Sequence, residues 1–185
     1  MKSRALLIVA LEQELPTTGL ADWTILYTGV GKVNAAINLM AALTEKKPDL
    51  LINYGTAGAI KTGLVDIVEV GQSVQCDMDA RPLGIALGAT PFETGTERFT
   101  LSDSPLICGT ADRFVTSAPE LTCDLVDMEL YALAKIAKRE QIPLKSFKFI
   151  SDNADDNSQQ DWKNSLPDSA SGFLSIQDDL LSLRG

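Results

Sequence analysis

Two short, unbroken apolar runs, ALLIVA at 5–10 and LLINYG at 50–55, constrain this chain more than any other feature. A strand with one face in water alternates apolar and polar residues. Strands apolar at successive positions are buried on both faces, so helices must cover both sides of their sheet. The helices are legible. From Gly31 onward, Val33, Ala36, Ile37, Met40 and Thr44 recur near helical spacing, ending around KKPD. Leu130, Leu133, Ala134 and Ala137 form the stripe of a second helix over 127–140, and a third is expected near 170–183. Further strands are predicted at TILYTG (24–29), at VDIVEVG and SVQCDMD joined around Gly71-Gln72, and at LGIALGA (83–89). Others are predicted at the start of PLICGTADRFV (105–115), at CDLV, and at IPLKSFKFISDNAD (142–155). Residues 90–103 are polar and marked by Gly and Pro, which predicts a surface loop. Strands alternating with helices predict one α/β domain over 1–185, a three-layer α/β/α sandwich with a central mixed sheet.

What the chain lacks narrows its chemistry. It has no histidine among 185 residues, which removes Ser-His-Asp and Cys-His nucleophile systems and His-ligated metal sites. Acid–base work must fall to carboxylates, Lys, Tyr or Cys. The net charge of −9, with Lys and Arg scattered, argues against a nucleic-acid partner, which needs a basic stripe. No apolar run approaches the roughly 20 residues of a membrane span. MKSRALLIVALEQEL runs into acids without a small-residue cleavage site, so it reads as a first strand, and the protein as cytoplasmic. Cys76, Cys108 and Cys123 are widely spaced and odd in number, as expected of buried reduced thiols. Neither a metal nor another cofactor is called for.

In open α/β sheets, ligands bind beyond the carboxyl ends of the strands. Here those ends carry ALEQEL, YTGVGKV, NYGTAGAI, TADRFV, VDMEL and ISDNAD, which hold nearly all the unusual chemistry. TGVGKVNAA fails as a phosphate-cradling loop, because Leu26 stands at the first glycine position and Val33 follows the lysine. It fails as a dinucleotide fingerprint too, with Asn34 at the third small position and Asn53 where an acid should end the next strand. In NYGTAGAI, Gly55 and Gly58 bracket Thr56 and Ala57; the segment is either a ligand-facing backbone or an ordinary tight turn. Glu12 and Glu14 could be a helix start favoured by the macrodipole, and Asp152 an Asx turn or N-cap. Asp127 and Glu129 flank Met128 where a strand becomes a helix, and Glu129 could belong to the first helical turn. Each bland reading stands alone; their joint placement on strand ends favours a site.

Taken together, these segments resemble the purine nucleoside phosphorylase and nucleosidase superfamily, and most closely its 5′-methylthioadenosine/S-adenosylhomocysteine nucleosidases. The similarity runs in order through ALEQEL, TGVGKVNAA, KPDLLINYGTAGAI, VDMEL and FISDNAD. It implies hydrolysis of a purine N-ribosyl bond, releasing a base such as adenine. It assigns activation of water to Glu14, with Glu12 as the alternative, and proton donation to the purine to Asp152 in its Ser151-Asp152 pair. Glu129 would hold ribose hydroxyls with Met128 against the sugar, and Thr56, Ala57 and Gly58 would line the ribose pocket. Phe114 would stack on the base and Val115 would read its edge through the backbone. On this reading Glu129 both starts the helix and clamps the sugar, and Asp127 is structural. Lys148 stands where such enzymes usually have an Arg that helps position water. An oxocarbenium-like transition state explains why two carboxyls suffice, one protonating the leaving group and one deprotonating water. Alternatives are a phosphate-dependent phosphorylase and a catalytically weak nucleoside-binding protein. The acids of LEQELP and Asn53 before YGT, where phosphorylases carry Arg, favour water over phosphate. The partner is then a small purine nucleoside, and the expected assembly is a homodimer or higher homo-oligomer.

Overall fold

The computed structural model describes residues 4–183. Its elements run in the order β1 (Ala5–Val9), β2 (Thr24–Tyr27), α1 (Lys32–Glu45), β3 (Leu50–Ala59), β4 (Ile67–Val70), β5 (Gln72–Gln75) and β6 (Phe99–Thr100). β7 (Ile107–Thr110), β8 (Leu125–Asp127), α2 (Leu130–Glu140), β9 (Leu144–Asp152) and α3 (Ser158–Ser182) follow. All nine strands join one mixed sheet, ordered β2-β1-β3-β8-β7-β5-β6, with β9 on β3 and β4 beyond it. The apolar runs behave as their composition demands. Ile8 and Leu51 face one layer with Ala35, Leu39 and Leu43 of α1 and Leu130, Leu133 and Ile136 of α2. Their neighbours Leu7, Val9, Ile52 and Tyr54 face the other side, against Phe173 and Leu180 of α3. This is the expected α/β/α sandwich. Among the described residues no helix is long and apolar enough to cross a membrane.

One feature of the sheet makes room for a site. β9 runs beside β3 from Leu51 to Gly58, filling one edge of that strand. On the other edge β1 accompanies β3 only as far as Asn53, and β8 meets it antiparallel only at Gly58 and Ala59. The edge between Asn53 and Gly58 therefore has no strand partner, and its backbone groups must be satisfied by something else.

Several expectations need correcting. LGIALGA is not a strand: a 3₁₀ turn covers Arg81–Leu83, Gly84 and Gly88 take left-handed φ, and Leu83 is 66% exposed. The polar loop over 90–103 contains β6, because buried Phe99 pairs with β5 at Ser73. β4 and β5 flank Gly71 as expected but never pair with each other; β4 joins β9 and β5 joins β7. In α1 the helix is right and the face is partly wrong, since Ala36 and Met40 of the expected stripe pack against the core but are only half-buried. The sheet takes Ala35, Leu39 and Leu43, leaving Val33 66% and Ile37 61% exposed. α2 begins at Leu130 rather than 127. α3 begins at Ser158, far earlier than 170, since its first half is polar and contains Pro167, which masks a helix held by packing.

Candidate active site

A cavity lies at the gap in the β3 edge. Most of the residues singled out in the sequence line it: Glu14 from the loop after β1, Thr56, Ala57 and Gly58 from β3, and Phe114 and Val115 from the loop after β7. Met128 and Glu129 enter from the end of β8, and Ser151 and Asp152 from the end of β9.

Glu14 is the residue that closes the open edge. It is 4% exposed, and its Oε1 accepts the Thr56 backbone N–H at 2.9 Å and the Thr56 hydroxyl at 2.6 Å. Its Oε2 accepts the Leu11 N–H at 3.0 Å. The carboxylate thus substitutes for the missing strand, and one lone pair on Oε2 remains for a ligand. No helix starts here: Glu14 sits in a turn whose N–H returns to the Leu11 carbonyl. Glu12 is exposed and outside the cavity. NYGTAGAI, similarly, is neither a turn nor a free loop. It continues β3, and Thr56 spends its N–H and hydroxyl on Glu14.

Asp152 ends β9 at an irregularity. Ala57 is opposite Ile150 and Gly58 opposite Asp152, so Ser151 is an extra residue on β9 that re-aims the strand end. Asp152 Oδ1 accepts the Ala154 N–H at 2.9 Å, the anticipated Asx turn, and Oδ2 accepts the Ser151 hydroxyl at 2.7 Å. A Cβ on Gly58 would stand 2.8 Å from Asp152 Oδ1, so only glycine allows this approach.

The VDMEL segment divides its labour differently from the expectation. Asp127 is the helix cap: its Oδ2 accepts the Leu130 N–H at 2.9 Å. The same carboxylate takes the Thr110 hydroxyl at 2.6 Å and the Lys148 ammonium at 2.8 Å. Glu129 makes no side-chain cap bond. Its Oε1 instead accepts the Gly31 N–H at 2.9 Å, across 98 residues of chain. Glu129 is thus free of helix duty and turned to the cavity. Burial raises its pKa to about 8, with the Asp127 charge adding to the rise and Lys148 and the Gly31 N–H opposing it.

Lys148 and Asp127 are a buried ion pair, with side chains 1% and 0% exposed. Burial pulls the lysine's pKa down, but Asp127, Cys108 and Glu129 outweigh it and hold the pKa above the ordinary lysine value. Gly55 leaves room for both charged groups: a Cβ there would stand 3.6 Å from Glu14 Oε1 and 3.7 Å from Lys148 Nζ.

Sequence reading missed Trp162, Arg113 and Asp127 as lining residues. Trp162 donates its indole N–H to the Thr56 hydroxyl oxygen at 2.9 Å. An indole nitrogen can only donate, so the Thr56 proton must point away from it, toward Glu14. The only signal available was a lone tryptophan in the polar stretch QQDWKNS, whose helix went unread.

The chain matches the phosphorylase superfamily over residues 16–94. The 5′-methylthioadenosine/S-adenosylhomocysteine nucleosidase of Haemophilus influenzae strain PittEE is 30% identical, the match covering 79% of this chain and 75% of that protein. Among solved structures, the nucleosidase of the same name from Colwellia psychrerythraea 34H, in complex with adenine, superposes with a TM-score of 0.85. Its identity is 22%, covering 98% of this chain and 96% of that one. The futalosine hydrolase of Helicobacter pylori strain 26695 superposes with a TM-score of 0.82 at 19% identity, covering 97% and 99%. The two superpositions establish a shared fold.

Proposed function

The chain belongs to the 5′-methylthioadenosine/S-adenosylhomocysteine nucleosidase family of the phosphorylase superfamily, and we propose that it hydrolyses the N-ribosyl bond of such a purine nucleoside, releasing adenine. The observation carrying this reading is the convergence of Glu14, Glu129 and Asp152, from three separate strand ends, on one cavity.

Each acid has a role its surroundings suit. The free lone pair on Glu14 Oε2 takes a proton from water as the water attacks C1′. Saturation of Oε1 by Thr56 fixes which oxygen acts. Asp152 protonates the purine as the C1′–N9 bond breaks and its electron pair passes into the ring. Glu129 accepts ribose hydroxyls, with Met128 against the sugar, and Phe114 and Val115 hold the base. Trp162 is a positioning residue, acting through Thr56. Lys148 neutralises Asp127 and keeps a positive charge behind the water-binding carboxylate.

Water is favoured over phosphate because the cavity's acids face any anion, while the Lys148 charge is already matched by Asp127 and Arg113 alone of the lining residues carries a further positive charge. A purine nucleoside panel including methylthioadenosine, adenosylhomocysteine and futalosine, assayed for free base with and without phosphate, tests the function. Base release independent of phosphate is expected; strict phosphate dependence overturns hydrolysis, and binding without turnover favours a sensing protein. The exposed Val33 and Ile37, one turn apart on α1, support self-association as a homodimer, which light scattering would read. The three free thiols support a reducing, cytoplasmic setting.

A further inference from the structure

Behind the cavity wall lies a chemical feature the hydrolysis does not use. β7 runs between β5 and β8, with Gly109 paired to Val74 on one side and Val126 on the other. Cys76, just past β5, and Cys123, just before β8, both reach over Gly109. A Cβ at that position would stand inside the van der Waals shell of Cys76 Sγ, 2.9 Å from Cys123 Sγ and 3.2 Å from Cys123 Cβ. The two sulfurs therefore share the space that the missing side chain vacates, close enough for each to shift the other's ionisation. Both are buried, at 8% and 7% exposed, whereas Cys108 is completely enclosed. Cys108, the residue before Gly109, belongs to the other layer, with α1 and α2, and is fully buried there; burial and then the Asp127 charge hold its thiol pKa up.

The two thiols are also unequal. The neighbouring Cys123 thiol lowers the Cys76 pKa, with Arg113 helping and burial and Asp77 opposing. Cys76 in turn, together with burial, raises the Cys123 pKa. One sulfur is thus suited to attack and the other to resolve.

We propose that Cys76 and Cys123 are an intrachain redox pair, closed to a disulfide by a peroxide. The Cys76 sulfur attacks one oxygen of hydrogen peroxide, the O–O bond breaks, and the departing hydroxide leaves as water. Cys76 is now a sulfenic acid. The Cys123 sulfur then displaces the remaining hydroxyl, which leaves as water with the Cys123 proton. Two thiols and one peroxide give one disulfide and two waters. Gly109 matters because the S–S bond occupies the space where a Cβ would stand. The pair belongs to the same apolar cluster as Val115 and Val126, which line the cavity, so the cross-link forms directly behind the site.

The test is chemical and independent of any nucleoside. Fully reduced protein is treated with hydrogen peroxide, denatured, alkylated and mapped without reductant. Titratable thiols should fall from the three in the sequence to one, with a Cys76–Cys123 peptide and alkylated Cys108. Cys123→Ser should form no disulfide and instead accumulate a dimedone adduct at Cys76. Three thiols surviving peroxide, a linkage through Cys108 or between chains, or the absence of a dimedone adduct in Cys123→Ser would each overturn the proposal.

Discussion

The two ends of the cavity are built on opposite plans. At the acid end every carboxylate is pinned: Glu14 by Leu11 and Thr56, Asp152 by Ser151 and Ala154, Glu129 by Gly31, each at or below 3.0 Å. At the other end, Phe114 stands 45% exposed on the loop between β7 and β8. The difference follows from what each end must do. A proton-transferring group must be held close to one geometry, because small displacements cost large factors in rate. A flat apolar base needs only a face to stack on, which tolerates a looser wall.

If this contrast is correct, the greatest loss comes from removing a proton at the pinned end. Asp152→Asn should lower kcat by about 10³-fold, within the range for general acid catalysis, while thermal melting stays near that of the parent. A variant nearly as active as the parent would remove the leaving-group role. Next, Lys148→Met should strand the Asp127 charge in the interior and cost about 3–5 kcal/mol in denaturant unfolding; a loss under 1 kcal/mol would mean the pair is not holding this end together.

The Glu129 carboxyl gives a graded effect. Folded, it keeps its proton up to about pH 8, whereas its ordinary value is 4.5, so between those limits the native state binds more protons than the unfolded one. Its contribution to stability is fully present below the lower value and lost as pH rises through the upper one, with a slope of at most about 1.4 kcal/mol per pH unit. Glu129→Gln should flatten the pH dependence of the melting temperature across this window; an unchanged profile would assign the slope elsewhere. Smaller again, Phe114→Ala should raise KM by about 2–10-fold with little change in kcat, as a lost stacking contact predicts. An equal fall in kcat would place Phe114 at the chemistry. The least effect is expected from Trp162→Phe, which keeps an aromatic ring and deletes one neutral hydrogen bond. A several-fold loss of kcat, about 1 kcal/mol, should leave KM nearly unchanged, and should vanish in a Thr56→Val background. Additivity there would show that Trp162 acts only as a wall.

Much of the molecule could be read from residue order alone. Strands buried on both faces, such as β1 and β3, announce themselves by continuous apolar runs, and α2 by its stripe. Elements whose stability comes from contact with distant residues were not legible. β6 is two residues long and exists because β5 accepts it. The first half of α3 is polar and carries Pro167, yet Ser158 and Ser169 are fully buried there. α1 is apolar on two faces, and nothing local says which one the sheet will take.

The site shows the same division at finer scale. Sequence by itself determined which groups could do chemistry: with no histidine the work falls to acids, and strand ends are where an α/β sheet presents them. It could not divide the tasks within VDMEL. That Asp127 caps α2 and neutralises Lys148, while Glu129 is released to the cavity, depends on Thr110, Gly31 and Lys148 arriving from other elements. Nor could it show that Glu14 completes an unpartnered edge of β3, or that an indole from α3 orients the threonine beneath it. Residue type sets what a side chain is able to bond. Only the folded chain decides which partners come within 3 Å, because those partners lie tens of residues away along the backbone.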